Sequence, residues 1–375
     1  MSQEPKAPTL ARLTAAAFWL GILGFGGGYV IGQRIRIAFV EQRKWLSDDD
    51  FVEMLAVAGS LPGTTAANLV TLVSCRLGGA VAATLATAAF LTPSALLMLA
   101  FGITYANLRD VSAVAAMLDG MSAATAGVVA AVAVDLRKDA VRDAFGWVVG
   151  LASLALLVAQ VLSLWQVVLL AGVIGAFYRR PAPVDKGDLV LWAPAIAPLA
   201  PAWGAFFFVF AHIGLTTFGG GVAMITPLER EVVQVHQWLS PHAFNDAVVL
   251  GQITPGPIAI CSTFIGYRVA GFFGAAVATL GIFGPPLLVS IGVSHSMARF
   301  RSNPLVKGFL SGVAPAVVAA IAAAGFALVR SSVHSWLAGV LCAASFVLLV
   351  VRPKLSPLWP IFAGGVIVVL LRMRG

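Results

Sequence analysis

The chain of 375 residues is 59% hydrophobic and only 11% charged, with a mean hydropathy of +0.94. A soluble domain covers itself with far more charge, so this composition excludes a soluble enzyme or binding module and indicates an integral membrane protein. The net charge of +8 does not point to nucleic acid, because the Lys and Arg residues are scattered over short loops and never gathered on one soluble face.

From the N-terminus onward, apolar stretches near the roughly 20 residues needed to cross a bilayer lie at 12–31, 80–105, 111–134, 145–161, 163–178, 203–226, 272–297, 309–329, 335–351 and 357–371. Each predicts a helix, and the alternation of a β-barrel is absent. Lys6 and Arg12 precede the first stretch, as in a secretory signal. Its counterpart at Phe206–Gly221 lies mid-chain, so both belong to the mature fold.

That counterpart is part of a duplication. Gly24-Phe25-Gly26-Gly27-Gly28 returns as Thr217-Phe218-Gly219-Gly220-Gly221, an offset of 193 that also carries Trp45-Leu46-Ser47 onto Trp238-Leu239-Ser240 and Pro62-Gly63 onto Pro255-Gly256. After one deletion the offset is 192, and Arg76 meets Arg268, Gly79 meets Gly271 and Thr87 meets Thr279. A register shared over about 100 residues means duplication. It divides the chain into a first repeat at 1–178, a polar linker at 179–200 and a second repeat at 201–375.

Two segments do not read as plain spans. Phe51–Ser74 and Phe244–Gly266 are interrupted by Leu61-Pro62-Gly63-Thr64-Thr65 and Ile253-Thr254-Pro255-Gly256-Pro257. A Pro-Gly pair removes a helix hydrogen bond and loosens the backbone. Such a break fits a broken or re-entrant helix lining a cavity, or else a helix-loop-helix at the membrane surface. With both segments re-entrant and the N-terminus outside, 16 of the 24 Lys and Arg residues fall on the cytoplasmic side. Full crossings leave the two sides almost balanced, so the positive-inside rule favours re-entry. Five spans per half then invert the second half relative to the first. The expected fold is all-α, with about ten transmembrane helices, two broken segments and an inverted repeat.

Residues suited to chemistry gather at these repeated elements. The glycines Gly26, Gly27, Gly28, Gly219, Gly220 and Gly221 have poor helix propensity, so they allow either close helix packing or an unwound turn that turns amides toward a ligand. Pro62, Gly63, Thr64, Thr65 and Asn68, with Thr254, Pro255, Gly256 and Pro257, set a helix N-terminus beside hydroxyl and amide groups, an anion site in outline. Arg76 and Arg268 follow their prolines by 14 and 13 residues; each is either a forked oxyanion donor or a side chain snorkelling to headgroups. Glu53 and Asp246 each lie nine residues before the proline of their break. They suit proton relay, or capping and solvation. Asp119 stands alone in an apolar stretch with Ser311 as its repeat partner, and suggests a coupling group. His212 and His295 have no partner at metal-ligand spacing and read as polar lining. Cys75, Cys261 and Cys342 read as small buried hydrophobes; no metal site, disulfide or cofactor is expected.

Together these motifs resemble the chromate ion transporter family in its long, two-domain form. The Phe-Gly-Gly-Gly runs, the Trp-Leu-Ser elements, Pro255-Gly256-Pro257 and Gly266-Tyr267-Arg268 all match that family's pattern, over nearly the whole chain. The resemblance implies a multi-pass protein of the inner (plasma) membrane that exports chromate, a tetrahedral dianion with sulfate as its analogue, and so confers chromate resistance. It implies an ion or voltage gradient as the driving force and is compatible with a homodimer. No Walker A motif occurs, in keeping with that source of energy. The first half departs from the pattern, with Thr64 in place of the second proline and Ser74-Cys75-Arg76 in place of Gly-Tyr-Arg. The two half-sites are therefore expected to differ. The alternative is an importer of sulfate or another oxyanion. An intramembrane enzyme would need a nucleophile with its base or a metal motif, and neither is present.

Overall fold

The computed structural model describes residues 8–24, 27–178, 202–218, 220–295, 303–353 and 355–374. Gly26, Gly219 and the linker expected at 179–200 lie outside the described residues. Among the described residues all regular structure is helical. The first half contains α1 (Leu10–Leu23), α2 (Gly27–Arg36), α3 (Asp48–Ser60), α4 (Thr65–Arg109), α5 (Ser112–Ala140), α6 (Ala144–Val158) and α7 (Leu164–Tyr178). The second repeats them as α8 (Ala202–Thr216), α9 (Ile225–Glu229), α10 (Pro241–Ile253), α11 (Cys261–Ser294), α12 (Pro304–Ser332), α13 (Trp336–Val351) and α14 (Leu358–Arg374).

The repeated motifs are where helices start, stop and turn. Each Trp-Leu-Ser ends in an N-cap: Ser47 Oγ accepts from the Asp50 amide to start α3, and Ser240 Oγ accepts from the Ala243 amide to start α10. The Pro-Gly breaks end those two helices at Leu61 and Thr254. Beyond them, α4 and α11 are hairpins and not straight rods. Gly79 has φ 76° and ψ −172°, and Gly271 has φ 61° and ψ −151°, a backbone region essentially confined to glycine. In a straight helix residues 16 apart would be separated by about 24 Å. Instead the Thr71 and Thr87 hydroxyls are 2.8 Å apart, and those of Thr263 and Thr279 2.7 Å apart. The paired threonines are the seam between two antiparallel arms.

The expected spans at 12–31 and 203–226 are corrected. Neither is one continuous helix among the described residues: α1 stops at Leu23 and α2 starts at Gly27, while α8 stops at Thr216 and a short 3₁₀ turn follows at Gly221–Met224. Glycine's weak helix propensity, with φ +105° at Gly220, favours the unwound alternative over an uninterrupted span. By length and composition, four described stretches can cross a membrane: Thr65–Asn107, Ser112–Lys138, Ile258–Ser294 and Pro304–Ser332. The hairpins leave 80–107 and 272–294 as the crossing arms of the first and third.

The halves interlock. Helices α6 and α7 pack on α12 of the second half, while α13 and α14 pack on α5 of the first. Close crossings at glycine let backbones meet: Gly120 of α5 lies against the Gly364 carbonyl of α14, and Gly312 of α12 against the Ala171 carbonyl of α7. These contacts exchange under the repeat register, as a two-fold axis relating inverted halves requires. The outer surface carries Trp336, Val351, Leu288 and Trp359 at 69–81% exposure, an apolar surface suited to a lipid bilayer.

Candidate functional site

Each Pro-Gly break is completed by the other half. The Gly63 amide donates to the Thr217 carbonyl at 2.8 Å, and the Gly256 amide donates to the Gly24 carbonyl at 2.8 Å. Helices α8 and α1 end at those carbonyls, so each helix end supplies an orphan acceptor and each Pro-Gly break an orphan donor. Gly63 (φ +100°) also packs on Pro286, and Gly256 (φ +105°) packs on Ser94. Ser94 and Pro286 are themselves repeat mates. Glycine is needed at both positions for backbone conformation and for space, and neither amide is open to a ligand.

The half-sites differ as Thr64 suggested. In the first half Thr64 ends the break, and its buried Oγ1 has no hydrogen-bond partner. Behind it the amides of Thr65, Ala66 and Ala67 open the first arm of α4, where an α-helix offers no internal acceptor. Gly220 lies over the Thr65 hydroxyl; a Cβ on it would stand 3.9 Å from Oγ1. In the second half Pro257 supplies neither hydroxyl nor N–H, and a 3₁₀ turn at Ile258–Ile260 precedes α11. A Cβ on Gly221 would come within 3.2 Å of the Ala259 amide and 3.3 Å of the Ile258 amide. A cavity of about 260 Å³ opens beside the first break, bounded by Gly59, Ser60, Phe218, Leu310, Val313 and Val317.

Asn68 is a clasp. Its Nδ2 donates to the carbonyls of Pro62 (2.9 Å) and Ala58 (3.3 Å), and its Oδ1 accepts from Ser290 Oγ at 3.3 Å. The bond to Ala58, ten residues back, shows that the chain folds back at the break. Thr254 Oγ1 likewise turns inward, donating to the Leu250 carbonyl at 2.6 Å.

The structure does not bring Arg76 and Arg268 to the breaks. Arg76 is 12 residues beyond Thr64, about 18 Å along the helix, exposed beside the reversal at Gly78 and Gly79. Arg268 is exposed too, with Cζ 5.3 Å from the centre of the Tyr105 ring. Asp119 is not alone: Arg109 Nη2 and Arg372 Nη2 each contact its carboxylate at 3.1 Å. Asp246 is buried, accepting from Tyr105 Oη at 2.6 Å, with Arg109 Nη1 at 3.3 Å. Its repeat mate Glu53 is half-buried on α3. Sequence reasoning missed Tyr105, Arg109 and Arg372; the signal for Arg109 was a cation at the end of an apolar stretch, with no marker for its partner across the repeat. His212 meets Trp165 edge-on at 6.0 Å, and Cys75, Cys261 and Cys342 are free thiols.

A family profile described as Chromate transporter matches the chain twice, at residues 11–176 and 204–369. The chain is 32% identical to the "Chromate transport protein" of Cupriavidus metallidurans, over 93% of this chain and 90% of the relative. It is 30% identical to the "Probable chromate transport protein" of Synechococcus elongatus, over 88% and 86% respectively. The "Uncharacterized transporter YwrA" of Bacillus subtilis is 27% identical over 43% of this chain but 95% of its own length, so one half of the present architecture spans nearly all of that relative. No solved structure matches the chain. Two family matches on two interlocked halves, with the shared glycine and Pro-Gly motifs at their contact, establish that the chain belongs to the chromate transporter family.

Proposed function

We propose that the protein is a secondary transporter that exports chromate across the inner (plasma) membrane, driven by an ion or voltage gradient, with the oxyanion recognised at the first break. The observation that carries this reading is the buried, unpartnered Thr64 hydroxyl at the N-terminus of a 13-residue helical arm. An unmet buried hydroxyl is costly in a structure that gains nothing from it, and a tetrahedral dianion would satisfy it. The open amides of Thr65, Ala66 and Ala67 and the Thr65 hydroxyl supply further donors, and the helix dipole favours negative charge there. Gly220 stands over Thr65 as the opposing wall; at the second break Pro257 offers no donor, and the buried Ser262 hydroxyl beyond it is likewise without a partner. Arg76 contributes long-range field at most from its exposed position.

Chromate accumulation in everted membrane vesicles, under an imposed voltage or pH gradient, tests the function. Uptake that collapses with the gradient supports gradient-driven export. Cells settle direction: an exporter lowers cellular chromate and raises resistance, whereas an importer of sulfate-like oxyanions sensitises cells to chromate.

A further inference from the structure

Away from the breaks, one charged network crosses between the halves. Tyr105 and Arg109 close the long arm of α4, and Asp119 lies on α5; Asp246 of α10, Arg268 of α11 and Arg372 of α14 come from the second half. Asp246 is the innermost member, its side chain 3% exposed. Burial of an ionised carboxylate in a membrane protein is expensive and marks a functional group by default. Its one strong neutral donor is Tyr105, held edge-on by Phe264 at a ring separation of 5.2 Å and faced by Arg268. Its cation is Arg109, which Asp246 shares with Asp119. His242 is the titratable neighbour on its own helix. On the α12 side Asn245 meets the neutral Ser331 and Ser332, Arg330 on the same turn acts on Glu229 of α9, and the His334 ring lies 6.1 Å from that of His242.

We propose that Asp246 is the carboxylate that couples oxyanion transport to protons, by exchanging its hold on Arg109 for a proton. With Asp246 ionised, three guanidiniums face two carboxylates and the contact between halves is latched. A proton taken from water onto Oδ2 cancels the attraction to Arg109 and raises the cluster to two net positive charges, matching a dianion. Arg109 is then free to follow the passing oxyanion, and release of the proton to water on the side where the oxyanion leaves restores the latch. Asp246 thus acts through Arg109 and not by touching the reversal or the breaks. The inference rests on the reading of the protein as a gradient-driven chromate transporter.

The test is chromate uptake by everted vesicles carrying the full chain, with voltage clamped and the pH gradient varied. Wild type responds several-fold to the pH gradient, and Asp246→Asn shows no response at whatever rate remains. Tyr105→Phe removes a donor to the ionised carboxylate without changing charge, so protonation occurs at higher pH; the pH of half-maximal uptake rises. A wild-type response retained in Asp246→Asn overturns the proposal. If Asp246→Asn does not reach the membrane or carries no chromate, Tyr105→Phe decides, and an unchanged pH profile overturns it. Wild-type uptake that follows voltage but ignores pH overturns the coupling alone. Absence of wild-type uptake under either gradient overturns the chromate reading and the coupling with it.

Discussion

Gly63→Ala separates the two reasons for a glycine at the first break. The Ala methyl must accept φ +100° and would stand 2.6 Å from Pro286 Cβ and 3.2 Å from Asn68 Oδ1. Gly79→Ala, at the reversal of α4, meets the backbone problem alone: φ is +76° and no atom lies within 4 Å of its Cβ position. Backbone strain of this kind costs about 1–3 kcal/mol. Overpacking against a proline ring that cannot rotate away adds roughly 1–3 kcal/mol. Gly63→Ala is therefore expected to lose about twice as much stability as Gly79→Ala, and to disturb the Asn68 clasp as well. Loss of helical signal on titration with a denaturing detergent, for purified protein in a mild one, measures both variants against wild type. Equal losses would refute the packing argument and return Gly63 to the role of a mere turn residue.

Other substitutions follow from the same contacts. Arg268→Lys should weaken chromate transport through loss of the planar guanidinium over Tyr105, while Arg76→Lys, exposed at the far end of its arm, should leave the half-saturating concentration unchanged. Ser47→Ala and Ser240→Ala each remove an N-cap and should cost about 1 kcal/mol in the same unfolding titration, equally in the two halves. Single cysteines at Lys44 and Gln237, matched positions that share φ 51°, should label from opposite membrane faces in a background lacking the three native cysteines. Labelling from one face contradicts the inverted arrangement.

Much of the fold was legible because it is written in local signals. The repeat register, the Pro-Gly breaks and the Trp-Leu-Ser caps act within a few residues of themselves, and the paired Gly79 and Gly271 stand where both hairpins reverse. The site was less legible, because its contacts join residues remote in sequence. The bond from Tyr105 to Asp246 spans 141 positions, and nothing near either residue announces it. The amides of Gly63 and Gly256 read as open donors until the opposite half supplies the carbonyls of Thr217 and Gly24. Arg76 and Arg268 follow the breaks closely in sequence, yet a rising helix carries Arg76 about 18 Å away in 12 residues. Exchange of α6 and α7 for α13 and α14 against the long helices α12 and α5 is likewise invisible to hydropathy, since every partner is equally apolar.

Thr64→Val bears most directly on recognition at the first break. Valine keeps the shape and β-branching of threonine while removing a buried hydroxyl that has no partner in the protein, so unfolding stability should hold or rise slightly. If that hydroxyl binds the oxyanion, its loss removes a charge-assisted hydrogen bond worth about 1.5–3 kcal/mol, a rise of roughly tenfold or more in the half-saturating chromate concentration. Everted vesicles carrying wild type and variant at equal abundance give the answer. A higher half-saturating concentration with stability preserved is expected; an unchanged half-saturating concentration contradicts recognition by the Thr64 hydroxyl.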